Sequence, residues 1–265
     1  MAALHDGEHY LVENYRSVIF TPASQARLKD RPKTNWSGLG LGVSKEHEGF
    51  APMPAVPVEL SGIIRTQGAT GGVLPGVIDI DDAFTFEAMK EGLRKRYPLV
   101  HIASHFKFTP GDDTKSYLVL GDGSHLPLSE VRLQNNLFGG VELLTLSACN
   151  TGVGDGREVE GFGVLAQRQG AKGVIATLWP VADESTGIFM QNFYQLREQE
   201  KLTKAEALQK AQLIFIRGQA SQTLPIRRGM ETELQGSENS PSAPQSAPYS
   251  HPYFWAPFIL MGNWL

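Results

Sequence analysis

Three continuously apolar segments, centred on residues 101, 145 and 175, restrict the possible folds of this chain more than any other feature. Such runs are typical of strands that are covered on both faces of a parallel sheet. Helical patterns separate the segments, and alternation of strands with helices predicts a sheet built through right-handed crossovers. The sequence therefore predicts a three-layer α/β sandwich, with a mainly parallel sheet and helices on both faces.

The predicted elements occupy most of the 265 residues, which we interpret as a single domain over 1–265. Segments rich in Val, Ile and Leu predict strands at 38–43, 98–104, 117–121, 141–149, 172–179 and 255–264. Helical spacing predicts helices that contain Phe86–Tyr97, Phe162–Ala166 and Phe189–Leu196, a short helix near 129–137, and one that starts with a capping box at Thr203 and Glu206. Residues 21–37 and 44–76 are predicted to be loops around one edge strand, and the Ser/Pro-rich part of 220–250 predicts a flexible loop insertion.

Composition excludes several classes of function. A net charge of −4 with scattered Lys and Arg does not fit a nucleic-acid-binding protein, and no apolar run approaches the length of a membrane span. One cysteine cannot form an internal disulfide, and with seven histidines it offers no spacing of a zinc site. The N-terminal residues lack a secretory signal pattern, so we expect a cytoplasmic protein.

Candidate chemistry lies at the ends of three predicted strands, because ligands of open parallel sheets bind beyond the carboxyl ends of the strands. His105 follows the first strand, Cys149 ends the second, and Trp179 and Asp183 lie in the loop after the third. A thiol and an imidazole at neighbouring strand ends form a plausible nucleophile and acid/base pair for acyl transfer. The helix predicted after Cys149 would favour the thiolate, which is the reactive form.

Other interpretations of the same residues stay open. A lone cysteine at a strand end is often a small buried apolar residue, and His105 alone could be structural. The TGVGDG turn after Cys149 suggests a phosphate loop, but its spacing is GxGxG and no acidic residue ends the next strand to hold a ribose. No GxSxG motif is present. His101 and His105 would lie roughly 13 Å apart along a strand, too far to chelate one ion.

The segments VHIASHF, VELLTLSACNTG, GAKGVIATLWPVADEST, TKAEALQKAQ and HPYFWAPFILMGNW occur in an order that resembles the CHAT domain. This is a caspase-like family of cysteine peptidases of clan CD, mostly bacterial, which often follows tetratricopeptide repeats. The resemblance implies a caspase-like fold and peptidase activity on a protein or peptide substrate. It implies no cofactor and no metal ion.

The resemblance assigns roles to particular residues. It implies that Cys149 is the nucleophile, that His105 is its histidine, and that the backbone N–H groups of Cys149 and Phe106 face the oxyanion. Phe106 stands where the family usually has a small residue. Ser147 lies where relatives that cleave after Arg or Lys often carry an acidic residue, so no such preference is implied. The candidates to line the substrate pocket are Ser147, Asn150, Trp179 and Asp183.

Two hypotheses of function follow. The first is a cytoplasmic cysteine endopeptidase regulated by a tetratricopeptide-repeat or other sensor region of a parent protein. The second is a catalytically silent CHAT-like module for signalling or assembly. The family pattern begins with a further strand upstream of AALHDG, so we expect this chain to lack that first strand.

Overall fold

The computed structural model describes residues 2–147, 157–179, 181–220 and 249–265, with the backbone alone for 157–160. Cys149, Asn150 and most of the predicted 220–250 insertion lie outside the described residues. The strands are β1 (Gly38–Gly42), β2 (Ile64–Arg65), β3 (Leu74–Ile80), β4 (Leu99–Ala103), β5 (Phe106–Lys107), β6 (Tyr117–Val119), β7 (His125–Pro127), β8 (Leu143–Leu146), β9 (Gly173–Thr177) and β10 (Phe258–Gly262).

Helices connect these strands on both sides of the sheet. The α-helices are α1 (Leu11–Asn14), α2 (Val56–Ile63), α3 (Phe86–Arg94), α4 (Leu128–Leu133), α5 (Arg157–Arg168), α6 (Asp183–Gln199), α7 (Lys204–Ile216) and α8 (Pro252–Trp255). Short 3₁₀ helices occur at Pro22–Arg27 and Asp81–Ala83.

In the part of the chain that the structure describes, seven strands form one sheet in the order β2-β3-β1-β4-β8-β9-β10. Every neighbouring pair is parallel except β9 and β10, which are antiparallel. The chain runs from β1 to β3 on one side and then crosses to β4 on the other, which creates a topological switch point between β1 and β4. The predicted fold class, a mainly parallel sheet between two layers of helices, is confirmed.

Alternate residues of the central strands pack against the two helical layers. Val100 and Ile102 of β4 belong to a core shared with α3 and α5, whereas Leu99 belongs to a core shared with α6 and α7. His101 lies on the same face as Leu99, because side chains alternate along a strand. The central strand β4 therefore carries one polar side chain on a face that is otherwise mostly apolar.

Most predicted elements are present. The segments around residues 101, 145 and 175 form β4, β8 and β9, the C-terminal segment forms β10, and the helical patterns form α3, α5, α6 and α7. Thr203 and Glu206 form the predicted capping box at the start of α7. The segment at 117–121 forms β6 of the hairpin β6–β7, which belongs to a separate three-stranded antiparallel sheet with β5.

The prediction of loops over 44–76 around an edge strand is wrong. Strand β1 is internal, between β3 and β4, and the supposed loop contains helix α2 and the start of β3. Every second residue of β1 is glycine, which makes its pattern only weakly apolar. A Cβ atom on Gly42 would lie 2.7 Å from Leu60 Cδ1, so the glycines are needed for α2 to pack directly on the strand. Pro57 favours the prediction of a loop, but it lies in the first turn of α2, where a helix tolerates proline.

Candidate active site

His105 lies just beyond the carboxyl end of β4 and is almost fully buried, with 4% of its surface exposed. Its Nε2 atom lies 2.9 Å from the carbonyl oxygen of Ala51. A carbonyl oxygen can only accept a hydrogen bond, so Nε2 carries a proton and donates it. In the neutral imidazole, Nδ1 is then the unprotonated nitrogen and can act as a base.

A covering segment, defined as residues 44–55, provides this carbonyl and closes over the histidine. The ring of Phe50 lies 4.9 Å from the His105 ring, centroid to centroid, at a tilt of 31°. His47 and Phe50 exchange two backbone hydrogen bonds of 3.2 and 2.8 Å, which hold the segment in a tight turn. The sequence does not predict this contact, because a backbone carbonyl leaves no signal in residue type.

Carboxylates anchor the covering segment at both of its ends. Asp81 accepts hydrogen bonds of 2.7 Å from the backbone N–H and from the hydroxyl of Ser44. Asp183 Oδ2 accepts one of 2.7 Å from the backbone N–H of Ala55. Burial raises the pKa of Asp183, and the nearby Glu59 carboxylate acts in the same direction. Asp183, predicted to line a pocket, therefore holds the segment that orients His105.

Burial lowers the pKa of His105 below its ordinary value of 6.5. The hydrogen bond to Ala51 opposes this shift, and His47 adds to it. Burial is the largest of these causes, because removing the imidazolium from water costs more free energy than the hydrogen bond to the Ala51 carbonyl contributes. His105 is therefore neutral near pH 7 and able to accept a proton.

Replacing Phe50 by alanine is expected to raise the pKa of His105 toward 6.5, because water then reaches the imidazole. A titration of the His105 ring resonances by NMR measures this shift. Phe20→Ala is a matched control, since Phe20 is 58% exposed and makes no ring contact with His105. An unchanged or lower pKa in Phe50→Ala would contradict the role of the Phe50 ring.

The residues after His105 enter the core. The ring of Phe106 is buried and meets the ring of Phe162 edge to face, with centroids 5.5 Å apart. This packing accommodates the bulk of Phe106 in the apolar layer. Further along, Asp112 binds Thr114 and Lys115, and Asp113 pairs with Arg132.

The other predicted pocket residues lie at the carboxyl ends of β8 and β9. Ser147 follows β8, and its backbone N–H donates a 3.0 Å hydrogen bond to Ile102 of β4. Trp179 follows β9, and its indole N–H donates a 3.0 Å hydrogen bond to the carbonyl of Tyr253. Trp179 is partly buried and packs at the margin of the core that contains α6 and α7.

The register of β4 and β8 brings the carboxyl ends of these two strands level with each other. Ile102 of β4 is paired with Leu146 of β8. His105 lies three residues beyond Ile102, and Cys149 lies three residues beyond Leu146. Adjacent strands are about 4.8 Å apart, so β4 and β8 end side by side. Cys149 itself lies outside the described residues.

A buried polar network that the sequence analysis also missed lies behind this edge. His101 Nε2 is 2.8 Å from Glu59 Oε1 and 3.1 Å from Ser147 Oγ. His101 Nδ1 is 3.1 Å from the hydroxyl of Tyr194, which lies 2.6 Å from Thr145 Oγ1. The network joins α2, β4, β8 and α6.

Neither a cluster of metal ligands nor a membrane-spanning helix is present among the residues that the structure describes. No group of three or more His, Cys, Asp or Glu side chains among them is arranged to hold a metal ion. No helix in the same ranges is both long and apolar enough to cross a bilayer.

Comparisons with known proteins identify one family and a set of similar solved structures, which includes the two below. A family model described as the CHAT domain matches residues 1–263. The crystal structure of the Arg specific cysteine proteinase gingipain R (RgpB) is 10% identical, with a TM-score of 0.49 over 91% of this chain and 50% of that one. The complex of Porphyromonas gingivalis RgpB pro- and mature domains is 10% identical, with a TM-score of 0.47 over 96% of this chain and 51% of that one. The chain thus spans about half the length of these two structures, and no curated protein matches it significantly.

Proposed function

Since this chain belongs to the CHAT domain family, we propose that it is a caspase-like cysteine endopeptidase that cleaves a protein substrate with Cys149 and His105. The observation that carries the proposal is the register of β4 and β8, which pairs Ile102 with Leu146. Along the sequence, His105 and Cys149 each follow their member of this pair by three residues. Neutral, buried His105 suits the role of a general base.

The proposed reaction needs only these two side chains and backbone N–H groups. Nδ1 of His105 accepts the thiol proton as Cys149 Sγ attacks the substrate carbonyl carbon. The protonated imidazole then gives this proton to the leaving amine, and an acyl-enzyme thioester remains. Water, deprotonated by the same imidazole, hydrolyses the thioester and restores the thiol. The N–H groups of Cys149 and Phe106 are the proposed donors to the oxyanion.

The same proposal includes the setting of the enzyme. It acts in the cytoplasm of a bacterium, and a tetratricopeptide-repeat or other sensor region of a parent protein controls access to the site. The burial of His105 under Phe50 supports such control, because a substrate needs access to a residue that is 4% exposed.

A catalytically silent CHAT-like module for signalling or assembly is the second candidate function. The observation that favours it is the same cover over His105. A silent module requires no opening of residues 44–55, whereas an enzyme does.

Cleavage of a peptide library, read by mass spectrometry, tests the proposal. The wild-type chain and its full-length parent are each compared with Cys149→Ala. Cleavage at defined sites by either wild-type form, and none by the variants, is the expected result. Equal cleavage by Cys149→Ala would refute the assigned nucleophile. No cleavage by either wild-type form would favour the silent module.

A further inference from the structure

The buried network around His101 contains a charged side chain that the proposed chemistry does not use. Glu59 is 1% exposed, although carboxylates are rarely buried without a compensating partner. Its Oε1 atom is 2.8 Å from His101 Nε2, and His101 is itself fully buried. The imidazole N–H can therefore donate a hydrogen bond to the carboxylate.

The network divides at His101 into two arms. One arm runs from Glu59 through His101 Nε2 to the hydroxyl of Ser147, at distances of 2.8 and 3.1 Å. The other runs from His101 Nδ1 to Tyr194 and on to Thr145, at distances of 3.1 and 2.6 Å. Only the first arm reaches a residue beyond the carboxyl end of β8.

Ser147 is the position through which this arm can act on the nucleophile. Its N–H still pairs with Ile102 of β4, so the sheet holds the chain up to this residue. Cys149 follows two residues later, at most about 7 Å along an extended chain. The direction in which the chain leaves Ser147 therefore sets where the thiol can lie.

Helix α2 links both halves of the proposed catalytic pair. The covering segment that contacts His105 through Phe50 and Ala51 runs directly into α2. Glu59, one turn into that helix, contacts His101 and through it Ser147. Helix α2 packs directly on the glycine-rich face of β1. This packing sets how far from the sheet the covering segment meets His105 and Glu59 meets His101.

We infer that Glu59 is a positioning residue for the Cys149 loop, acting through His101 on the Ser147 hydroxyl at the end of β8. The inference rests on the proposed function of Cys149. It assigns Glu59 no contact with the substrate. Its effect appears in kcat, because a misplaced nucleophile slows the chemistry and leaves substrate binding unchanged.

A double-mutant cycle tests the inference. Glu59→Gln and Ser147→Ala are each expected to lower kcat by roughly 10- to 100-fold, the effect of a displacement of the nucleophile by about 1 Å. Glu59→Gln, which removes no contact with the substrate, is also expected to leave KM unchanged. The double variant is expected to be no slower than either single variant, because both break one arm. Thr145→Val, which breaks only the other arm, is the matched control and is expected to keep the wild-type kcat. Additive losses, or an equal loss in Thr145→Val, would overturn the inference.

A second readout does not depend on peptidase activity. Cys149 is the only cysteine, so ¹⁵N-cysteine labelling gives a single amide resonance that reports on its loop. Glu59→Gln, Ser147→Ala and their double variant should displace this resonance to the same position, and Thr145→Val should leave it in place. An undisplaced resonance in Glu59→Gln would refute the positioning role even if the wild type cleaves nothing. Wild-type inactivity with the expected displacements would instead refute the proposed function alone.

Variants of Ser147 test the inference even if Glu59→Gln does not fold. Thr and Val have nearly the same shape, but only Thr keeps the hydroxyl that His101 contacts. Ser147→Thr is expected to have a higher kcat than Ser147→Val and to displace the Cys149 resonance less, whereas Ser147→Val should resemble Ser147→Ala. Equal behaviour of the Thr and Val variants would overturn the role of the hydroxyl.

Discussion

Replacing His105 by alanine is expected to lower kcat/KM for a cleaved peptide by roughly 10⁴-fold or more, as removal of a member of a nucleophile and base pair does in other enzymes. The physical reason is the loss of the Nδ1 base, since Nε2 is committed to the Ala51 carbonyl at 2.9 Å. Steady-state cleavage of the best library peptide measures the effect.

Two comparisons make this result specific. The double variant Cys149→Ala, His105→Ala should be no slower than either single variant, because the two side chains act as one unit. His125→Ala should remain near wild type, since His125 is exposed on the hairpin and stacks on Tyr117 instead. A loss in His125→Ala as large as that in His105→Ala would point to a general effect on folding.

Replacing Lys204 by methionine is expected to raise the free energy of unfolding at pH 7 by about 1–4 kcal/mol, the range found when buried ionic groups are replaced by apolar ones. Lys204 is fully buried, and burial lowers its pKa to about 7. Its position in the first turn of α7 adds an unfavourable interaction with the helix dipole.

The partners of Lys204 keep other contacts in this variant. Asn263 Oδ1, now 3.0 Å from Lys204 Nζ, also accepts a 3.1 Å hydrogen bond from the backbone N–H of Leu265. The buried carboxylate of Glu142 remains 3.1 Å from Lys172 Nζ. The methionine therefore removes a charge from the interior, and Asn263 and Glu142 each keep one of these contacts.

The pH dependence of this gain identifies its cause. Lys204 has a folded pKa near 7 and an ordinary value of 10.5, so the folded state binds fewer protons between these values. Wild-type stability from this group thus rises with pH across that range, and the advantage of Lys204→Met should shrink. Urea unfolding of both proteins at pH 7 and pH 10 measures the difference. Lys210→Met, on the exposed part of α7, is the control and should show no such trend. A gain that does not change with pH would contradict the explanation.

The sequence predicted the parts of the fold whose apolar pattern is strong. β4, β8 and β9 are continuously apolar because helices cover both of their faces, and this pattern can be recognised in the amino-acid sequence alone. For β1 the sequence wrongly predicts an edge strand, because its three glycines make this internal strand only weakly apolar. Only the tertiary structure shows why those glycines are needed. Helix α2 packs against them, and a Cβ atom added to Gly42 would lie 2.7 Å from Leu60 Cδ1.

The candidate site shows the same division. His105 and Cys149 could be chosen from the sequence because strand ends carry ligand-binding residues in this architecture, and because their segments resemble a known family. The partner of His105 is a backbone carbonyl, which any residue at position 51 would supply. Glu59 lies in a stretch rich in proline, which the sequence predicts to be a loop.

By itself, the sequence determined the class of fold, the order of β4, β8 and β9 along the chain, and the family. It also suggested the two residues proposed for the chemistry, since each of these inferences depends on residue type along the chain. Only the tertiary structure decided that Ala51 and Phe50 cover His105, that Asp183 holds their segment, and that Glu59 reaches Ser147 through His101. These contacts join residues between 42 and 128 positions apart. Their geometry follows from how the helices pack on the sheet, which no local pattern records.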